Sequence, residues 1–240
     1  MLAGALMFCR YSLRTTDPVA ARAFYAEALG LVLPDGMAEG SALESWALHE
    51  RALARGAPPH WLGQIAVDDV DVMVSRLLGL GSERLGPTVQ AKNGTPFATL
   101  RDPFGDVIAV RARGETTNDS PVVWHQLHTR DLDAAWALYH EQFGWGFQRT
   151  LDVPEPVGGY RLFAWNATGP TVGAMGNTAR LPGVHTHWLY YFPVADIGRA
   201  AASVRALGGT ATEAFVLPGG MRLMACEDPQ GAAFGVAEVA

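Results

Sequence analysis

The sequence contains two copies of one pattern, and this repetition limits the possible folds more than any other feature. The segment TTDPVAARAFYAEALG at 15–30 aligns with TRDLDAAWALYHEQFG at 129–144, with identical residues at eight of sixteen positions. HWLGQIAVDDV at 60–70 likewise matches HWLYYFPVADI at 187–197, and a DPxG tetrapeptide recurs at 102–105 and 228–231. The chain is therefore a duplication of about 115 to 125 residues.

Each copy divides again into two modules in which a strand is followed by a helix and then by further strands. In the first module, LMFCRYSL at 6–13 has the aromatic and apolar content of a strand. Asp17 before Pro18 predicts a helix start, and Gly30 predicts its end. The next strand is predicted at 61–67, before a helix that Asp69 caps. Further extended segments are predicted at 31–33, 43–49, 83–89, 97–101 and 106–112.

The second copy is fuller than the first. Its third module offers strands at 145–153, 160–165 and 171–175, whereas 31–49 has room for little more than two. The segment RGETTNDSP at 113–121 is polar, rich in turn formers and typical of a linker. We therefore predict domains at 1–113 and 122–240 with a linker at 114–121, and we expect the second domain to hold the better-formed pocket.

Composition argues against several classes of function. The formal net charge of −6 and a pI of about 5.6 disfavour nucleic acid as a partner. No apolar run reaches the roughly eighteen residues of a membrane span, and MLAGALMFCR lacks the basic start of a signal peptide. Cys9 and Cys226 form no CxxC motif, so zinc knuckles and disulfide scaffolds are not indicated. We expect a cytoplasmic protein, either a monomer or a homodimer.

The order of strand, Asp-capped helix, strands and DPxG turn resembles the βαβββ module of the vicinal oxygen chelate superfamily. That superfamily includes glyoxalase I, bleomycin resistance proteins and extradiol dioxygenases. APPHWLGQIAVDDVD at 57–71 and WHQLHTRDLDAAWALYHEQFGW at 124–145 most resemble its tandem proteins described as glyoxalase-like or as hydroxylases. The resemblance implies an α+β fold of four modules, in which two curved mixed sheets form cups with helices outside and hold a small molecule.

The resemblance also implies where a metal centre would lie. Members of the superfamily use a His or Gln in the first strand of a module and a Glu in the last strand, which together give a site of nitrogen and oxygen ligands. In this chain the first-strand positions hold Arg10, Leu62, Trp124 and Leu189, and the last-strand positions after the DPxG turns hold Ala109 and Gly235. None of these side chains binds a divalent metal, so no metal cofactor is expected.

Strand alternation indicates which side chains line the cups. The candidates are Arg10, Ser12, His60, Gln64, Trp124, Gln126, His128, His187 and Tyr191, whereas His125 should face the other way. His185 and His187 have a spacing that can bind a metal, but the pattern places no carboxylate beside them. The nearest acidic candidates in the sequence are Glu44, Glu50, Glu227 and Glu238.

Arg10 lies in the middle of an otherwise apolar strand, where a guanidinium needs a partner. In one interpretation it binds a carboxylate or enolate oxygen of a small anionic substrate through two hydrogen bonds. In the other it forms a structural ion pair with an acid of the neighbouring module. The sequence leaves both interpretations open.

Three classes of function agree with these observations. The first is a binding protein that holds a small anionic or aromatic molecule without the metal of the superfamily. The second is an enzyme of the same fold, an isomerase, lyase or dioxygenase-like protein, which uses displaced histidine ligands or metal-free acid–base chemistry. The third is a scaffold or interaction protein with no ligand. The sequence assigns no catalytic residue.

Overall fold

The computed structural model describes residues 6–38, 41–91, 93–114 and 120–239. The first half contains β1 (Phe8–Thr15), α1 (Pro18–Leu29), β2 (Leu43–Ala47), α2 (Glu50–Leu53), β3 (His60–Val67), α3 (Val70–Gly79), β4 (Glu83–Arg84), β5 (Val89–Gln90), β6 (Pro96–Arg101) and β7 (Val107–Ala112). The second contains β8 (Trp124–His128), α4 (Leu132–Phe143), β9 (Gly146–Asp152), β10 (Gly159–Ala164), β11 (Gly173–Gly176), a 3-10 helix (Asn177–Arg180), β12 (His187–Val194), α5 (Ile197–Ala206), β13 (Thr210–Ala211), β14 (Phe215–Val216), β15 (Arg222–Glu227) and β16 (Ala233–Glu238).

The strands form two mixed, cup-like sheets, one from each half of the chain. The first has the order β2-β1-β3-β7-β6-β4, with β5 paired to β6. The second has the order β13-β15-β16-β12-β8-β11-β10-β9, with β14 paired to β15. Modules 1 to 4 begin with β1, β3, β8 and β12. The predicted α+β class, with two domains of this type, is confirmed.

Short-range capping fixes the helix that follows each first strand. The Asp17 carboxylate accepts hydrogen bonds from two backbone N–H groups of the first turn of α1, and Gly30 ends the helix with a φ of 68°. Asp69, Asp131 and Asp196 cap α3, α4 and α5 in the same way. The predicted helix starts at Asp17 and Asp69 are confirmed, because each cap depends only on residues close in sequence.

The four modules share one strand register, which allows their positions to be compared directly. In each module the first strand runs parallel to the last one. One set of paired positions consists of Ser12 with Glu44, Gln64 with Ala109, Gln126 with Ala174 and Tyr191 with Gly235. Glu44 therefore corresponds to the last-strand positions that hold Ala109 and Gly235.

Two predicted strands differ from the structure. Residues 31–33 form no strand, and only an isolated bridge joins Asp35 to Ser45. The segment 83–89 is divided into β4 and β5 because Gly86 and Pro87 interrupt it, and proline has no N–H for strand pairing. Residues 115–119 of the predicted linker lie outside the described residues, so the boundaries at 113 and 122 stay predictions.

The chain forms two compact units that are interleaved in sequence. Unit 1 comprises Met1–Cys9, Gly63–Glu115 and His125–Trp188, and unit 2 comprises Arg10–Leu62, Thr116–Trp124 and Leu189–Ala240. In unit 1, Trp145 stacks on Phe163 with ring centroids 4.9 Å apart. In unit 2, Trp61 packs against Phe192 at 5.0 Å. Each unit thus has its own aromatic core.

The repeated DPxG turn has the same role in each unit. In unit 2 the Trp61 indole N–H donates to the Tyr25 hydroxyl at 2.9 Å, and this hydroxyl donates to Asp228 at 3.2 Å. The other oxygen of Asp228 accepts two backbone N–H groups of its own turn. In unit 1, Trp188, Tyr139 and Asp102 form the matching chain at 2.9 and 3.0 Å. The turn aspartate therefore joins two modules that are distant in sequence.

Within the described part of the chain, none of the helices has the length and apolarity needed to cross a lipid bilayer.

Candidate functional site

The first cluster, called here the arginine site, consists of Arg10, Ser12, Arg14, Glu44, Trp46 and His60, all in unit 2. Alternation along β1 directs Arg10, Ser12 and Arg14 to one face of the sheet. Ser12 lies opposite Glu44, and Arg14 lies opposite Trp46 in the parallel pairing of β1 with β2. A polar face therefore covers strands that are otherwise apolar.

Glu44 is the centre of this site. Its side chain is buried, and one carboxylate oxygen accepts a hydrogen bond from the Ser12 hydroxyl. The other oxygen lies 3.5 Å from Nη1 of Arg10, which is mostly buried. Arg10 thus forms an ion pair with an acid of its own module, whereas the structural interpretation from sequence had expected an acid of the neighbouring module.

Arg14 and Trp46 carry donors that the site itself does not use. The Arg14 guanidinium lies over the Trp46 ring at 5.6 Å from its centroid, and no hydrogen bond or ion pair joins it to another described residue. Burial lowers the pKa of Arg14, although the charge of Glu44 acts in the opposite direction. The Trp46 indole N–H is buried and has no acceptor among the described residues.

His60 completes the arginine site as a neutral group. Its Nδ1 lies 2.8 Å from the Pro58 carbonyl oxygen, which can only accept, so Nδ1 carries the proton. Burial lowers the pKa of His60, and the charge of Arg14 lowers it further. Two guanidinium groups and one carboxylate therefore leave this site with an excess of one positive charge.

The inner face of module 2 carries a second buried arginine, which the sequence pattern did not single out. Arg111 of β7 donates to the Gln64 amide oxygen at 3.3 Å, and both side chains are buried. The sequence contains an indication of Arg111, because a charged residue within the apolar strand 106–112 requires a partner. Gln64 and Arg111 lie in unit 1, as do Gln126, His128 and His187.

The second cluster, called here the imidazole site, consists of Gln126, His128, Tyr160, Thr178 and His187 in unit 1. The rings of His128 and His187 stack with centroids 4.7 Å apart. The Tyr160 hydroxyl hydrogen-bonds to Gln126, and burial raises the pKa of Tyr160. His125 stacks on Phe8 outside this cluster, as expected from strand alternation.

In unit 2, buried aromatic side chains occupy two other candidate positions. Trp124 holds a first-strand position, and its buried indole N–H has no acceptor among the described residues. The Tyr191 ring lies over Gly235, where an added Cβ would approach Cδ1 of the tyrosine to 2.2 Å. The last-strand position of module 4 is therefore covered by a ring and cannot hold a glutamate without rearrangement.

The donor set does not fit a divalent metal at the positions that the resemblance implies. Glu44 is the carboxylate at a last-strand position, but the guanidinium of Arg10 lies beside it where a neutral imidazole would be needed. Among the described residues there is also no group of three or more His, Cys, Asp or Glu side chains arranged to hold a metal ion.

Comparison with known proteins agrees with this architecture. The glyoxalase-like domain family matches residues 10–111, and the glyoxalase/bleomycin resistance protein/dioxygenase superfamily matches residues 122–236. The CFP32 protein of Mycobacterium bovis, which is named as a glyoxylase, is 30% identical over an alignment that covers 93% of this chain and 91% of its own length. The chain belongs to the glyoxalase/bleomycin resistance protein/dioxygenase superfamily.

Other known proteins are similar over most of the chain. The anthracycline biosynthesis protein DnrV of Streptomyces peucetius is 28% identical and covers 77% of this chain and 67% of its own length. Among solved structures, the 2,3-dioxygenase LapB from Pseudomonas sp. KL28 aligns with a TM-score of 0.65 at 12% identity, over 100% of this chain and 94% of LapB. The Mn(II)-bound glyoxalase from Novosphingobium aromaticivorans aligns with a TM-score of 0.63 at 13% identity, over 98% of this chain and 82% of its own. At these identities the structures establish the shared fold.

Proposed function

We propose that this superfamily member binds a small organic anion at the arginine site without the metal of the superfamily. The observation that carries the proposal is the Arg14 guanidinium over Trp46, which has no hydrogen bond or ion pair with any residue that the structure describes and lies beside the ion pair of Arg10 with Glu44. A half-buried cation is costly unless an anion neutralises it. One ligand carboxylate would balance the excess positive charge of the site.

The arrangement also favours a ligand with a flat ring. Arg14 and Trp46 already form a cation–π pair, and a planar carboxylate is well matched to the fork of a guanidinium. The buried indole N–H of Trp46 could donate to a second ligand oxygen. An aromatic carboxylate therefore suits the site better than an aliphatic one. Two relatives are named for the biosynthesis of anthracyclines, which are aromatic molecules, and this supports a ligand with a flat ring.

The direct test is calorimetric titration of the protein with benzoate, cyclohexanecarboxylate and benzamide. We expect saturable binding of benzoate, weaker binding of the non-aromatic acid, and still weaker binding of the uncharged amide. Arg14→Gln should weaken benzoate binding by about ten-fold or more, the range expected for a charge-assisted hydrogen bond. Arg22→Gln is the matched control, because Arg22 pairs with the exposed Asp35 instead of facing the arginine site. Equal benzoate affinity in Arg14→Gln would contradict the proposal.

Independence from metal is tested separately. Protein purified without chelators or metal-affinity resin is subjected to elemental analysis, and its melting temperature is measured during titration with Mn, Fe, Ni and Zn ions. We expect neither a stoichiometric metal nor a saturable rise in melting temperature. A near-stoichiometric metal would contradict this part of the proposal and would direct attention to displaced histidine ligands.

An enzyme of the same fold is the second candidate, and Glu44 is the observation that favours it. A buried carboxylate beside two guanidinium groups could take a proton from a bound molecule, while the cations stabilise the resulting anion. Incubation of the protein with phenylacetate in deuterated water tests this, since phenylacetate has a C–H group next to its carboxylate and NMR would record the exchange of that group. Exchange in the wild type but not in Glu44→Gln would support catalysis, and equal spectra would leave a binding protein.

A further inference from the structure

The imidazole site presents two histidine rings side by side. His128 belongs to β8 and His187 begins β12, and their rings are 4.7 Å apart with an angle of 24° between their planes. Both side chains are partly buried. What these rings can bind depends on which ring nitrogens carry protons, and a hydrogen bond to the backbone settles this for His187.

The tautomer of His187 follows from its backbone partner. Its Nδ1 lies 2.8 Å from the carbonyl oxygen of His185. A carbonyl oxygen can only accept a hydrogen bond, so Nδ1 of His187 must carry a proton. In the neutral ring, Nε2 therefore has a lone pair and acts as an acceptor.

The hydrogen bond of His128 fits either neutral tautomer. Nδ1 of His128 lies next to the Thr178 hydroxyl, which can donate to this nitrogen or accept from it. The hydroxyl also lies 3.4 Å from the Gly176 carbonyl oxygen, which already accepts the backbone N–H of Thr129 at 3.0 Å. The acceptor nitrogen that the hydrogen bonds fix is therefore Nε2 of His187.

Both rings stay neutral near pH 7. Burial lowers the pKa of His128 to about 3, and the neighbouring His187 contributes to this shift. Burial likewise lowers the pKa of His187. Neither Nε2 has a hydrogen-bond partner among the described residues. Nε2 of His187 is therefore an acceptor that lies on a ring stacked against a second neutral imidazole.

The surrounding positions make this a neutral site, in contrast to the arginine site. By strand register, His128 with Gly176 corresponds to Arg14 with Trp46, and Gln126 with Ala174 corresponds to Ser12 with Glu44. The Tyr160 ring lies over Gly176, where an added Cβ would approach it to 2.6 Å. The same layout therefore carries guanidinium and carboxylate groups in module 1, but imidazole, amide and phenol groups here.

We infer that the imidazole site is a second binding site, which selects an uncharged ligand whose O–H or N–H group donates a hydrogen bond to Nε2 of His187, beside the neutral ring of His128. The Tyr160 ring favours a ligand with an apolar or aromatic body. This site lies in a different unit from the arginine site and needs no charge on the ligand, so it goes beyond the proposed binding of an anion.

The experiment compares phenol with anisole, two rings of similar size of which only phenol has an O–H donor. NMR titration at pH 7 of protein with ¹⁵N-labelled histidine should show phenol bound about five-fold more tightly than anisole, as expected for one hydrogen bond. Phenol should also shift the Nε2 resonance of His187. Equal affinities, or an Nε2 of His187 that carries a proton in the free protein, would overturn the inference.

Variants of His187 test whether the preference for phenol over anisole arises at the imidazole site. His187→Phe keeps a ring but removes the acceptor, so phenol affinity should fall to that of anisole. The control is His185→Ala, which removes an exposed side chain and keeps the carbonyl group that orients His187. If His187→Phe lowers the melting temperature, His187→Gln replaces it, and a retained acceptor should preserve part of the preference. An unchanged preference for phenol in His187→Phe would reject the site.

The two proposals can fail separately. Benzoate affinity should be the same in His187→Phe as in the wild type, and the preference for phenol should be the same in Arg14→Gln. Loss of benzoate binding in His187→Phe would mean that one ligand occupies both clusters, which would overturn the assignment of a separate second site.

Discussion

The hydroxyl group of Tyr25 donates a hydrogen bond to Asp228, which follows it by 203 residues. The same oxygen accepts the indole N–H of Trp61, so one buried hydroxyl connects the first helix, the third strand and the last turn. Tyr139 makes the corresponding bonds to Asp102 and Trp188 in the other unit. Each unit is therefore held together by one copy of the same three-residue chain.

Tyr25→Phe should destabilise the protein by about 1–3 kcal/mol. The change keeps the ring but leaves the Trp61 N–H and one Asp228 oxygen buried without their partner. Urea denaturation measures the difference, and Tyr139→Phe provides the matched test in unit 1 with a loss of similar size. A change below about 0.5 kcal/mol in both variants would show that the hydroxyl groups do not contribute as argued.

Asp106→Asn should prevent the decrease in the free energy of unfolding that ionisation of the buried Asp106 carboxyl group causes as the pH rises. Burial and the charge of Asp102 raise the pKa of Asp106 well above its usual range, and one of its oxygens is buried without a partner among the described residues. A raised pKa in the folded state means that the folded protein holds this proton more tightly. The free energy of unfolding is then highest below the unfolded-state pKa and falls as the pH rises through the folded-state value.

The asparagine variant should therefore match the wild type at low pH and exceed it at neutral and alkaline pH. Denaturation curves between pH 4 and pH 9 test this, with the exposed Asp133→Asn as the control. A variant that is less stable than the wild type at every pH would show that the Asp106 carboxylate is needed in its charged form.

Gly235→Ala should destabilise the protein by about 1–3 kcal/mol, because its Cβ would come within 2.2 Å of the Tyr191 ring. Adding Tyr191→Leu should relieve part of that cost, so that the double variant loses less than the sum of the two single variants. Gly79→Ala is the control, since nothing lies within 4 Å of its added Cβ. Additive losses measured by chemical denaturation would contradict the steric argument.

Glu44→Gln should lower stability but strengthen anion binding, because the carboxylate both pairs with Arg10 and offsets part of the positive charge of the arginine site. Loss of the ion pair leaves Arg10 without its acid and should lower stability by about 1–3 kcal/mol. The excess charge of the arginine site rises from one to two, so benzoate should bind several-fold more tightly in calorimetric titrations. Weaker benzoate binding in a variant that remains folded would instead mean that Glu44 contacts the ligand.

The sequence predicted those features that depend on neighbouring residues. Asp17 and Gly30 mark the ends of α1 because capping acts within one turn of a helix. Strand alternation correctly placed His125 on the opposite face of β8 from Gln126 and His128. The same alternation, extended by two residues beyond Ser12, would also have identified Arg14.

Features that depend on register or on distant contacts could not be predicted. Glu44 was not assigned because module 1 has no DPxG turn from which to count, and only the pairing of β1 with β2 places it opposite Ser12. The Tyr191 ring over Gly235 and the stacking of His128 on His187 depend likewise on packing between strands. The local pattern indicates which face a side chain occupies, but its partner is set by the tertiary structure.

The interleaving of the two units has a consequence for synthesis on the ribosome. The principal segments of unit 1, Gly63–Glu115 and His125–Trp188, both emerge before Leu189–Ala240, which completes unit 2. Until then the nascent chain carries α1 with Tyr25 and Phe24 but without Asp228 and Phe234, against which these residues pack. The amino-terminal module can therefore bury this aromatic face only after Asp228 and Phe234 have been synthesised, and until then the face is open to chaperones and proteases.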